Sequence, residues 1–221
     1  MPARTPDAIV ILVLCLLLGS CAAGTPAPPA TPAATLIPLA TTLPTEAPLP
    51  TLPTFPADLT VMPTAGYAFR IPAGWQMQQA GGIATLEPPA NSPQSGTVTL
   101  VLNGGNPTNL VIEEVSTSKI ASLEDLSTAL LTSLEQETLG MEIEAREELV
   151  LDGQPAHLIR ARSAGFGDLE QAVQIRLIAT LPARDRAFVL LGIASPPDAW
   201  DADAVLQDLI QSLRLFAPTA R

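Results

Sequence analysis

Apolar residues in this chain change their spacing several times, and each change marks an element. Tyr67, Phe69 and Ile71 alternate with smaller or polar neighbours, which predicts a strand that Pro72-Ala73-Gly74 ends. Trp75 to Gln78 alternates again, Gly81-Gly82 interrupts it, and Ile83 to Glu87 reads as another short strand. Thr97 to Leu102 places Val98, Leu100 and Leu102 on one face, ahead of an apparent breaker at Asn103-Gly104-Gly105-Asn106-Pro107. The spacing then becomes three and four. Leu123, Leu126, Leu130 and Leu134 predict a helix from Leu123 to Thr138, closed near Gly140. Ser122 with Asp125 three residues on resembles a capping box with the shorter acid.

Alternation returns after the helix, with Met141, Ile143 and Ala145 set against Glu142, Glu144 and Arg146. Asp152-Gly153 between apolar runs is a strong hairpin signal, because both residues tolerate the positive φ of the tight turn. A return strand runs from Ala156 to Ser163, Gly165 to Asp168 turns the chain, and strands follow at Ala172 to Thr180 and Ala187 to Ala194. Residues Phe188 to Ala194 are apolar at both parities, which predicts a mid-sheet strand covered on each side. A second helix is expected after Asp198 as cap, with Trp200, Val205, Leu209, Ile210 and Leu213 buried and Asp201 and Asp203 complementing its dipole. The fold class this predicts is α+β, a mostly antiparallel β-sheet flanked by helices.

The N-terminal quarter follows different rules. Ala8 to Leu18 is an eleven-residue apolar run behind Arg4, too short for the roughly 20 residues of a membrane-crossing helix. It ends in Leu18-Gly19-Ser20-Cys21, which resembles the bacterial lipobox. That resemblance implies a signal peptide over 1–20 and acylation of the Cys21 thiol ahead of cleavage. Cys15 follows a bulky leucine inside the run and is read as part of it. Between Ala22 and Pro63 stand 11 Pro, 9 Thr and 9 Ala, with Glu46 and Asp58 the only charges. Isolated apolar residues between prolines cannot build a core, so 21–63 is expected to be a disordered stalk reaching on the order of 100 Å. Pro50-Thr51-Leu52-Pro53 and Pro53-Thr54-Phe55-Pro56 also match PxxP spacing, as chance provides in such a stretch. The globular domain is placed at 64–217.

Charge and composition narrow the chemistry. From Thr64 onward there are 10 basic and 19 acidic residues, a balance that argues against nucleic acid. His157 is the only histidine, so a two-histidine zinc site is excluded, and no cysteine follows Cys21. In the predicted hairpin Glu148 falls opposite His157, either as an acid/base pair or as a cross-strand ion pair, the commoner case. Arg160, Arg162 and Arg176 invite an anion or neighbouring glutamates, and the glutamates are favoured. Asp198, Asp201 and Asp203 lack the spacing of a calcium loop. No catalytic, cofactor-binding or metal-binding residue is assigned, and Cys21 is the single predicted site.

Tyr67-Ala68-Phe69-Arg70-Ile71-Pro72-Ala73-Gly74-Trp75, Leu151-Asp152-Gly153-Gln154-Pro155-Ala156 and Ile210-Gln211-Ser212-Leu213-Arg214 together resemble the PsbP-like lipoproteins, over Thr64 to Phe216. The resemblance implies an α/β/α sandwich and no shared active site. The expectation is a lipid-anchored protein of the cell membrane, facing the extracytoplasmic side, whose domain is a non-catalytic binding or accessory module for an envelope protein or complex. The alternative is a carboxylate-dependent hydrolase of envelope or extracellular substrates.

Overall fold

The computed structural model describes residues 53–92, 95, 98–111, 120–167, 170–197 and 203–219. Cys21, the stalk up to residue 52, and Asp198, Trp200 and Asp201 lie outside them. Ten strands are described: β1 (Thr60–Met62), β2 (Tyr67–Phe69), β3 (Gln76–Ala80), β4 (Ile83–Glu87), β5 (Val98–Gly105), β6 (Glu142–Leu151), β7 (Gln154–Ser163), β8 (Val173–Ala183), β9 (Arg186–Ala194) and β10 (Arg214–Leu215). The helices are α1 (Leu123–Glu137) and α2 (Asp203–Ser212).

Seven strands form one antiparallel sheet in the order β3-β4-β5-β9-β8-β7-β6. β9 is central, as the two-sided apolar run of Phe188 to Ala194 requires. On one face Val189 and Ile193 pack with Leu126, Leu130 and Leu134 of α1. On the other, Phe188 and Leu190 pack with Tyr67 and Phe69 of β2, with Leu206 and Leu209 of α2, and with Leu213 just beyond it. The expected α+β architecture, an antiparallel sheet covered by helices, is therefore what the chain adopts.

Local chemistry accounts for the element ends. Ser122 Oγ accepts from the Asp125 amide at 3.1 Å, and the Asp125 carboxylate accepts from the Ser122 amide at 2.9 Å, closing the capping box. The bond from Ser122, together with the Ala121 and Ser122 amides, holds the Asp125 carboxyl below its usual value. A lowered acid contributes stability above its unfolded value and loses it as pH falls through the folded one, so the cap weakens only in acid. The hairpin turn carries φ of 48° at Asp152 and 78° at Gly153, as its Asp-Gly pair predicted.

Three expectations are corrected. Asn103-Gly104-Gly105 does not break the chain, since β5 runs through it. A Cβ on Gly104 would lie 2.4 Å from Ala65 O and 2.9 Å from the Tyr67 ring, so this glycine admits the segment crossing the sheet. Leu213, expected in the stripe of the second helix, is buried but lies beyond it, since the helix ends at Ser212 and β10 begins at Arg214. Lastly, the boundary at Thr64 lies too far along the chain. β1 pairs with β2 upstream of it, Met62 is 1% exposed, Phe55 packs on Phe216 at 4.9 Å, and Arg70 Nε donates to Asp58 at 2.7 Å. Apolar residues next to Pro56 and Pro63 thus find partners across the sequence that proline spacing could not reveal.

β1, β2 and β10 form a separate three-stranded sheet, tied to the main one through Tyr67. The Tyr67 hydroxyl lies 3.0 Å from the carbonyls of both Gly82 and Leu102, and burial pushes its phenol up. Two stability tests follow. A chain beginning at Thr64 is expected to melt several degrees below one beginning at Pro53, because losing Met62 alone removes about 2–5 kcal/mol of burial. Leu126, at 0% exposure, should cost about 2–5 kcal/mol when replaced by Ala, measured by urea unfolding.

Candidate functional site

A group of titratable side chains lies where α1 meets β6 and β7. The antiparallel register sets Glu148 opposite His157 and Arg146 opposite Ile159, as the two-residue hairpin dictates. α1 crosses this face with Glu124 in its first turn and Ser127 one turn on. Glu124, Arg146, Glu147, Glu148, His157 and Ile159 line a half-open depression of about 170 Å³.

The histidine is engaged by the helix. Its Nδ1 shares a 2.8 Å hydrogen bond with Ser127 Oγ, and the nearer oxygen of Glu124 lies 3.9 Å from the same nitrogen. Glu124 also faces Arg146 at 3.5 Å. The group therefore joins helix to sheet. A nucleophile-base-acid relay needs the base to meet its two partners through different ring nitrogens, and here both lie against Nδ1. Ser127 is 0% exposed besides, so its hydroxyl faces no substrate. Among the described residues, no three of His, Cys, Asp and Glu are grouped so as to hold a metal ion.

The arginines divide between two environments. Arg160 pairs with Glu147 at 2.7 Å and Arg162 with Glu144 at 2.6 Å, the glutamate partnership favoured from the sequence. Arg176 stands opposite Arg160 in the β7/β8 register and is 7% exposed. The register that sets Glu148 opposite His157 was legible in the sequence, but the carboxylate found beside the imidazole is Glu124 and not the expected Glu148, and neither Glu124 nor Ser127 was foreseen. No local spacing reports which turn of a helix will cross a given strand. The one available signal was parity, since Ser127 directly follows the core-facing Leu126 in the leucine stripe. Among the described residues no helix is long and apolar enough to cross a membrane.

No family model matches the chain, and no curated protein matches it. Among solved structures it is similar to the Ran-binding protein Mog1p of Saccharomyces cerevisiae, with TM-score 0.49 and 12% identity over 69% of this chain and 94% of that one. A protein of unknown function from Pseudomonas aeruginosa, PA94, gives TM-score 0.48 and 17% identity over 73% and 97%. Cyanobacterial PsbP from Synechocystis gives 0.45 and 15% over 77% and 100%. A PsbP-type structure is thus among the neighbours, and these likenesses concern the path of the backbone, not activity or partner.

Proposed function

We propose that this chain is a lipoprotein held at the cell membrane through Cys21, facing the extracytoplasmic side, and that its domain is a non-catalytic binding or accessory module for an envelope protein or complex. The observation that carries the non-catalytic reading is the placement of His157. The single histidine of the sequence is bonded to a serine at 0% exposure and joins α1 to β7. The anchoring rests on the eleven-residue apolar run that ends in Leu18-Gly19-Ser20-Cys21. A diacylglyceryl group on the thiol would supply the two chains that stable attachment needs.

The carboxylate-hydrolase alternative has one observation in its favour, three glutamates lining the same depression. Two of them, Glu124 and Glu147, are paired with arginines. The space of about 170 Å³ is also below the roughly 300–1,000 Å³ of small-molecule pockets.

Two experiments test this reading. Mass spectrometry of the mature protein should find a diacylated cysteine at position 21 as the first residue, and Cys21→Ala should release the chain from the membrane fraction. An intact leader, or full membrane retention of that variant, would overturn the anchoring. Residues 53–219 should show no turnover on glycan, peptide and ester panels, while His157→Ala lowers stability by about 1–3 kcal/mol because the buried Ser127 hydroxyl loses its partner. Turnover abolished by His157→Ala or Glu148→Gln would establish the enzyme instead.

A further inference from the structure

β6 is the outer strand of the seven-stranded sheet, and its far edge carries no strand among the described residues. It is ten residues long and holds two of the three exposed large apolar side chains, Ile143 at 41% and Val150 at 68%. Leu151 and Gln154 close the two-residue hairpin. Peptide groups of an antiparallel ladder alternate in direction, so Val150, Glu148 and Arg146 turn their N–H and C=O groups away from β7. Such an edge is a template for another strand.

The register of β6 on β7 shows which strand would fit. Val150 stands opposite Pro155, Glu148 opposite His157, Glu147 opposite Leu158, Arg146 opposite Ile159 and Ile143 opposite Ala161. The ladder shifts between Ile143 and Ala145, so Glu144 is an extra residue. Because of that bulge, Val150 and Ile143 lie three ladder positions either side of Glu147, and Glu148 and Arg146 one position either side. Without the bulge, Val150 would be matched by Glu144. A two-fold axis normal to the sheet at Glu147 therefore sets Val150 against the partner's Ile143 and Glu148 against the partner's Arg146, each pair occurring twice. Those are also the residues whose peptide groups face outward. Only Glu147 meets its own copy, and the 2.7 Å bond from Arg160 within each protomer offsets that charge. Arg162 likewise holds Glu144 at 2.6 Å.

We propose that β6 is a self-association edge and that two copies of this chain join there, antiparallel and centred on Glu147, into one continuous fourteen-stranded sheet. The occupant is a second copy because the edge is complementary to itself in both apolar and charged positions. The Pro-rich segment of the same chain is a poor competitor, since each proline lacks an N–H for the ladder.

The test uses the full chain in mild non-ionic detergent, which masks its apolar N-terminal run. Sedimentation velocity across a concentration series should show a reversible monomer–dimer equilibrium. Arg146→Glu and Glu148→Arg, each setting like charges against one another, should weaken dimerisation about tenfold or more, and combining them should restore it. Val150→Lys, which touches no intramolecular ion pair, should weaken it as well. Glu147→Cys lies on the axis, where opposed Cα atoms of a non-hydrogen-bonded pair approach to about 4.5 Å, so mild oxidation should give a disulfide-linked dimer above the background of the unsubstituted chain. A chain that stays monomeric at all concentrations overturns the proposal. So does a dimer that Glu147→Cys fails to trap or that both single charge variants leave intact, and so does an edge that takes up only strands of another sequence.

Discussion

Two-sided burial of β9 is the constraint from which the architecture follows. A strand that is apolar at both parities cannot border solvent on either face, so each side of the sheet needs its own cover. α1 supplies one cover with a single leucine stripe. The other is assembled from pieces far apart in sequence: β1 and β2 before the main sheet, α2 and β10 after it. A helix stripe is continuous and fills its face alone. The composite cover must be brought close and held, which explains Gly104, where no Cβ fits beneath Ala65, and Tyr67, whose buried hydroxyl reaches two carbonyls of the sheet below.

That difference also sets what could be read in advance. The capping box at Ser122 and Asp125, the Asp152-Gly153 turn and the central place of Phe188 to Ala194 all depend on neighbours within a few residues, and each was legible. The strand at Thr60–Met62 was not. Proline at 56 and 63 suggested a chain without structure, yet three residues between them suffice for a strand when β2 offers its edge. Gly104-Gly105 failed for the converse reason: glycine is the same letter whether it turns a chain or makes room for one. Leu206 was overlooked in the α2 stripe, whereas Leu209 was expected there, and both are buried, as is Leu213 just past the end of the helix. At the site, strand register followed from the turn, but the helix-to-strand contact of Ser127 with His157 depends on tertiary packing that no spacing encodes.

Polar chemistry in the described domain concentrates towards one end of the sheet. β9, β5 and β8 are nearly all apolar, while β6 and β7 bring four glutamates, three arginines and the histidine together. Glu147 pairs with Arg160 and Glu144 with Arg162 within the two strands, and Arg146 faces Glu124 of α1. Exposed pairs of this kind add little to stability. Their effect is to remove net charge from an acidic strand, which would otherwise repel any strand approaching its edge.

The β6 edge thus carries two opposed properties. Charged side chains and a bulge are the devices by which sheets discourage indiscriminate pairing. Here the same bulge brings Ile143 into step with Val150 about Glu147, and the two charges on that face, Arg146 beside Glu124 of α1 and Glu148, are of opposite sign. An edge built this way excludes most sequences through mismatched charge or register and remains open to a strand with the matching order of apolar, acidic and basic positions. Specificity of that sort arises from the cost imposed on wrong partners as much as from attraction to the right one. The small sheet through which the Pro-rich segment enters packs on the face opposite α1, whereas Ile143, Arg146, Glu148 and Val150 share the α1 side of the ladder. A tether leading into that small sheet would leave those side chains accessible.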